Sequence, residues 1–152
     1  MTTSEPLVVD ASVGVKWLFD EEQFELARAL ASDAARARTP ILVPPHFHFE
    51  VLNAAWRKVA RGLVSPDEGG EAITEITNYH TITVAPAMLS NRAYELALRL
   101  PVRPGAIYDL LYVALAQIVG CTLWTADSKL ANAVAGVPVV VSLLSTYTPQ
   151  TA

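Results

Sequence analysis

The chain has 152 residues, of which 52% are apolar and 17% charged, a balance that excludes a disordered segment and suits one domain built on a single core. No apolar run approaches the roughly 20 residues a membrane helix needs, and Met1-Thr-Thr-Ser-Glu-Pro6 lacks the basic start and apolar stretch of a secretion signal, so a cytoplasmic protein is expected. The formal charge of −4 argues at first sight against a nucleic-acid partner. If four of the 15 acidic residues surround a cation, however, the other 11 balance the 11 basic ones and the global charge says little about any one face. The single cysteine, Cys121, has no partner for an internal disulfide and is expected as a small core residue.

In chain order, Leu7-Val-Val-Asp10 reads as a first strand and residues 21–37 as a helix. Ile41-Leu-Val43 is a second strand, followed by Pro44-Pro45 and a helical stretch over 46–61. Ser65-Pro-Asp-Glu68 combines an N-cap, a proline at the first helical position and a capping-box glutamate, which starts a helix over 66–79. Gly69-Gly70 weakens its first turn by about 1 kcal/mol per glycine. Thr81-Ile-Thr-Val84 is a third strand, 87–99 and 105–119 are helices, and Cys121-Thr-Leu-Trp-Thr125 is a fourth strand. A short helix over 127–135 and a fifth strand, Val137-Pro-Val-Val-Val-Ser142, complete the pattern. Gly62, Gly120 and Gly136 follow helical stretches and are expected as left-handed caps. Alternating strands and helices define an α/β fold, a parallel sheet with helices on both faces in three layers, over a single domain at 4–145 with loose termini at 1–3 and 146–152.

Open α/β sheets hold their chemistry beyond the carboxyl ends of the strands, and that rule selects acids. Asp10 ends the first strand and Asp127 lies two residues past the fourth; Asp109 opens an apolar helix, and Glu50 interrupts Phe47-His-Phe-Glu-Val-Leu52. Singly each has an ordinary reading as a cap or first-turn acid. Together, carboxylates 4 Å apart repel by about 4 kcal/mol at an effective dielectric of 20, so something must hold them, and hard oxygen ligands suit Mg²⁺ or Mn²⁺. Glu50, Asn53, Arg57 and Arg61 fall along one helix face, either a stripe that contacts phosphates or a solvated, salt-bridged face. His46 and His48, two residues apart, do not face each other on a helix and are not expected to share a metal. Trp17, Trp56 and Trp124 are expected in the core or an interface.

Four ordered segments carry a resemblance over roughly residues 7–142. Val9-Asp-Ala-Ser-Val-Gly-Val-Lys-Trp17, Pro44 with Glu50-Val-Leu-Asn-Ala54, Tyr108-Asp-Leu-Leu-Tyr-Val-Ala-Leu-Ala116 and Leu123-Trp-Thr-Ala-Asp-Ser-Lys-Leu130 resemble the successive acidic motifs of PIN-domain proteins, and of VapC-like toxins among them. The resemblance implies a five-stranded parallel sheet and a metal-dependent endoribonuclease acting on single-stranded or structured RNA. It also implies the toxin half of a toxin–antitoxin pair, with a VapB-like antitoxin as partner. By the same resemblance Asp10 and Asp109 are the principal ligands of Mg²⁺ or Mn²⁺, and Asp127 completes the acidic wall. Glu50 belongs to the same metal set and positions or deprotonates the attacking water, while Ser12 and Thr125 orient ligands from behind.

Departures from the pattern are Gly14, where a larger apolar residue is common, Trp124 ahead of Thr125, and the acids Asp20-Glu-Glu22 near the rim. A haloacid-dehalogenase phosphatase would need a second aspartate at Ser12, and a receiver domain would need adjacent acids after the first strand. The remaining alternative is a catalytically degenerate PIN-type module that binds RNA or protein. The apolar helix at 105–119 suggests burial on more than one side and hence a homodimer.

Overall fold

In the computed structural model, which describes residues 4–150, Leu7–Val9 forms β1 at the centre of a five-stranded sheet of order β3-β2-β1-β4-β5. The other strands are β2 (Ile41–Val43), β3 (Thr81–Thr83), β4 (Thr122–Thr125) and β5 (Val141–Leu143), and every pairing is parallel. Leu7 is in register with Ile41 on one side and Thr122 on the other. Inner strands covered on both faces have no polar side to show, so Val8, Val9 and all of β2 are buried, whereas the edge strand β3 exposes Ile82 and Thr83.

Among the described residues seven helices connect the strands: α1 (Ala11–Leu18), α2 (Phe24–Ala37), α3 (Phe47–Ala60), α4 (Pro66–Glu75), α5 (Leu89–Arg99), α6 (Ile107–Val119) and α7 (Ser128–Ala133). The chain runs outward from β1 to β2 and β3, then returns past β1 to β4 and β5. Right-handed crossovers therefore put α1–α4 on one face and α5–α7 on the other. The packing agrees: α1 lies against α2 and α3, and α3 against α4, while α5 packs on α6, which covers β1 and β4. The reversal of strand order sits between β1 and β4, which locates the crevice at their carboxyl ends.

All five expected strands are present, and most helices start one to three residues later than periodicity suggested. Helix α1 has no counterpart in the periodic reading. Its β-branched residues and Gly14 are poor helix formers, and it exists because Asp10 caps it and Val13, Gly14, Val15 and Trp17 are buried beneath it. The expected strand at 137–142 shrinks to Val141–Leu143 because Pro138 has no N–H and the amides of Val137 and Val139 are used in turns. Gly62 (φ 68°) and Gly120 (φ 76°) are left-handed caps as expected, but Gly136 is not. The capping box of Ser65 and Glu68 is complete.

Trp17 ties the core together. It is fully buried, its indole N–H donates to the Ala27 carbonyl at 3.0 Å, and its ring stacks on Tyr79 at 4.7 Å. Trp124 is half-buried against Tyr147 and Trp56 is 63% exposed, so only part of the tryptophan expectation refers to core. Cys121 is buried as expected.

One expectation is corrected. The tail is not loose from 146: the Tyr147 hydroxyl (2.5 Å) and the Gln150 amide (2.8 Å) both donate to Oδ2 of the buried Asp33 on α2. Residues 1–3 and 151–152 lie outside the described residues. On α6, Leu110 and Tyr112 to Ala116 are buried inside the chain, while Tyr108, Ile118 and Val119 are exposed. Among the described residues no helix is long and apolar enough to cross a membrane.

Glycine has opposite meanings in α1 and α4. A Cβ on Gly14 would fall 2.6 Å from the Phe47 ring, so α1 approaches α3 only because the side chain is absent, whereas a Cβ on Gly70 meets nothing within 4 Å. Gly14→Ala is expected to lower the unfolding free energy by roughly 1–3 kcal/mol through overpacking. Gly70→Ala is expected to raise it by up to about 1 kcal/mol through helix propensity. Urea denaturation of both variants beside wild type checks the pair.

Candidate active site

The first functional side chain is set by strand and cap together. Asp10 leaves the end of β1 and caps α1, accepting from the Val13 amide at 3.3 Å, and the residue is only 5% exposed. Each oxygen receives a hydroxyl proton. Ser12 Oγ donates to Oδ1 at 2.5 Å, and Thr125 Oγ1, from the end of β4, donates to Oδ2 at 2.5 Å. The hydroxyls are themselves fed by the β4–α7 connection, since the Ala126 amide donates to Ser12 Oγ (2.9 Å) and the Asp127 amide to Thr125 Oγ1 (3.0 Å). Burial pushes the Asp10 carboxyl up to about 6; the two hydroxyls and the Val13 amide counteract this, and the charge of Asp109 adds to it.

Asp127 is the N-cap of α7 and accepts from the Lys129 and Leu130 amides at 2.8 and 3.2 Å. Asp127 thus both caps a helix and lines the cleft, as Asp10 does. Asp109 stands in the first turn of α6, half-buried, and its carboxyl is raised by burial and then by repulsion from Asp127. Glu50, in the first turn of α3, is raised by burial and by Asp109, while a hydrogen bond from the Tyr112 hydroxyl opposes the shift.

All four acids line one cleft of about 710 Å³, together with Ser12, Asn53, Arg57 and Arg61. Thr125 sits behind Asp10, fully buried. The stripe from Glu50 to Arg61 thus runs along the cleft wall, and both arginines are exposed. Near the rim, Glu21 accepts from Lys58 at 2.6 Å and from Lys16 at 3.3 Å, so one of the added acids holds two lysines beside the cleft.

The donor set fits a hard divalent cation. Asp10, Glu50 and Asp109 are all pushed toward protonation by burial and then by a neighbouring acid, Asp109 for the first two and Asp127 for Asp109, and neither Asp10 nor Asp109 forms an ion pair among the described residues. The arrangement is an acidic wall rather than a closed cage: among the described residues no group of three acidic, histidine or cysteine side chains is drawn together as a ready-made metal site. Sequence reasoning missed Tyr112 and His46, which contact Glu50, and Lys16 and Lys58 at the rim. The i, i+4 spacing of His46 and Glu50 was available as a signal; a tyrosine in an apolar helix carried none.

Comparison with known proteins bears on the same residues. A family model described as the PIN domain matches residues 7–136. Ribonuclease VapC3 of Pyrobaculum aerophilum is 34% identical over 128 residues, covering 83% of this chain and 92% of that protein. Ribonuclease VapC12 of Mycobacterium tuberculosis is 32% identical over 130 residues, covering 83% and 90%. Among solved structures, the crystal structure of PAE2754 from Pyrobaculum aerophilum aligns with a TM-score of 0.66 at 19% identity, over 93% of this chain and 92% of that one, a likeness of fold. With the matched segment spanning β1 to α7 and so all four acids of the cleft, the chain belongs to the PIN-domain family.

Proposed function

We propose that the chain is a metal-dependent endoribonuclease and the toxin of a toxin–antitoxin pair. The observation that carries this reading is the buried Asp10 carboxylate at the strand-order switch, facing a cleft with three further acids and flanked by Arg57 and Arg61. Two relatives named as ribonucleases, matched over most of their length, support it. Asp10 and Asp109 would hold Mg²⁺ or Mn²⁺, with Asp127 and Glu50 completing the wall directly or through water. A bound cation of this kind polarises a phosphate oxygen and lowers the pKa of its water.

The protein's own groups do the positioning. Ser12 and Thr125 donate to both oxygens of Asp10 and so hold its carboxylate plane, which a metal ligand requires. Glu50, whose affinity for a proton is raised by burial, orients the attacking water and accepts its proton. Arg57 and Arg61 hold phosphates of a single strand as it enters the cleft. Exposed apolar side chains at Phe49, Leu52 and Trp56 along α3, and at Tyr94 and Leu98 on α5, support protein partners, for which we propose a VapB-like antitoxin and a second copy of the chain in the cytoplasm.

Three outcomes follow from this reading. Cleavage of mixed RNA requires Mg²⁺ or Mn²⁺ and stops in EDTA, and Asp10→Asn or Asp109→Asn each lowers it by at least about 100-fold; full turnover in EDTA refutes the chemistry. RNA binding without cleavage under every metal condition points instead to the degenerate binding module. Replacing Arg57 and Arg61 by alanine weakens single-stranded RNA binding and reduces its log–log salt slope by about 1.4, at roughly 0.7 per phosphate contact, while metal binding persists.

The third outcome is thermal. Asp10 titrates near 6 in the folded state against 3.8 as an ordinary aspartate. The folded state therefore holds the extra proton, and this contribution to stability is complete below the unfolded value and lost as pH rises through about 6. Glu50 and Asp109, also raised, act in the same direction. In EDTA the melting temperature is expected to fall between about pH 4.5 and about pH 7. Asp109→Asn should raise it at neutral pH and shrink the gain from added Mg²⁺, since a ligand stabilises only as far as it binds the native state. Melting curves of both proteins with EDTA and with Mg²⁺ decide whether Asp109 belongs to the site or is a helix-start acid.

A further inference from the structure

Glu50 and Asp109 reach the cleft from different helices, and the two helices are joined where those acids stand. Tyr112, buried on α6 with 1% exposure, donates its hydroxyl to Glu50 Oε2. His46, at the start of α3, bonds through Nε2 to the Tyr108 carbonyl of α6 at 2.9 Å, and the same nitrogen lies 3.4 Å from Glu50 Oε2. Because a carbonyl only accepts, Nε2 carries the ring proton. The imidazole also packs on the Tyr112 ring at 4.8 Å and the Tyr108 ring at 5.9 Å.

A phenylalanine would fill the volume of Tyr112 equally well, so its hydroxyl is accounted for by Glu50. A free glutamate samples many rotamers, and a misplacement of about 1 Å in a reacting group can cost about 100-fold in rate. We propose that Tyr112 and His46 are positioning residues for Glu50: the Tyr112 hydroxyl occupies Oε2 and fixes the carboxylate, while His46, tied to the Tyr108 carbonyl and packed on both tyrosine rings, holds the start of α3 against α6, so that Oε1 is left for the cation or the attacking water. The inference rests on the nuclease reading of the cleft, but it concerns residues outside the acidic set.

The experiment compares wild type, Tyr112→Phe, Glu50→Gln and the double variant by calorimetric Mn²⁺ titration without RNA and by steady-state cleavage of a single-stranded RNA. Tyr112→Phe is expected to weaken Mn²⁺ binding and lower kcat by about 10- to 100-fold, with KM within about twofold of wild type. In the Glu50→Gln background it should add nothing, since coupled residues are not additive. His46→Ala should move Mn²⁺ affinity in the same direction, and His46→Gln, which restores an N–H near the position of Nε2, should recover it. Wild-type kcat and Mn²⁺ affinity in Tyr112→Phe beside an impaired Glu50→Gln overturns the brace alone. An effect of Tyr112→Phe that persists undiminished in the double variant also overturns it, because the hydroxyl is then acting elsewhere. If Glu50→Gln itself cleaves and binds Mn²⁺ like wild type, the role of Glu50 fails and the brace fails with it.

Discussion

A carboxylate buried to 5% exposure with no cationic side chain beside it is destabilising, and Asp10 persists because each of its oxygens receives a hydroxyl proton. The hydroxyls come from Ser12, in the first turn after β1, and Thr125, at the end of β4, so the solvation of one carboxylate requires β1 and β4 to be adjacent and in register. The register of Val9 with Trp124 meets that requirement directly. Amides of Ala126 and Asp127 then orient the hydroxyls, which extends the constraint to the entry of α7. The site and the centre of the sheet are therefore one hydrogen-bonded unit, and polarisation along each amide–hydroxyl–carboxylate chain strengthens it.

Capping and chemistry use the same atoms at the edge of the sheet. Asp10 follows β1 directly and Asp127 follows β4 by two residues, and each caps a helix and lines the cleft. A strand-to-helix turn is short only if its first polar residue caps the helix, and a short turn is what holds the carboxylate rigidly. Asp109 has no such duty. It stands on a helix already started by a 3₁₀ turn at Pro104–Ala106 and keeps a carboxyl raised by burial and by Asp127, which marks it as an acid whose surroundings are poorly satisfied by the protein itself.

Helix α3 forms the opposite wall and is held at a close distance from two sides. Gly14 lets α1 meet the Phe47 ring, and Gly69 lets α4 meet Val59, where a Cβ would lie 2.6 Å from the valine methyl. The cost in helix propensity at these glycines is offset by helix–helix approach, the physical content of the Gly14 departure from the family pattern. The C-terminal segment returns to Asp33 on α2 and sets Tyr147 edge-on to Trp124, so the strand that supplies Thr125 is also packed by the tail.

Much of this was legible in the residues. Buried parallel strands announce themselves as short β-branched runs, and acids near their carboxyl ends or inside apolar helices stand out because a charge in apolar surroundings needs a reason; Asp10, Glu50, Asp109 and Asp127 stand out that way, the arginine stripe by its helical spacing and Ser12 through the family resemblance, and all of these line one cleft. What the pattern could not supply was anything decided by contacts between distant segments. Helix α1 is too short and too β-branched to be periodic and forms because its residues are buried under α2 and α3. The tail is ordered by an aspartate 114 residues away from Tyr147, and the bond from Tyr112 to Glu50 spans 62 residues. Local sequence determines which backbone states and which charges are available; only the tertiary structure decides which buried polar groups become one another's solvent, because that choice depends on distances that no spacing along the chain encodes.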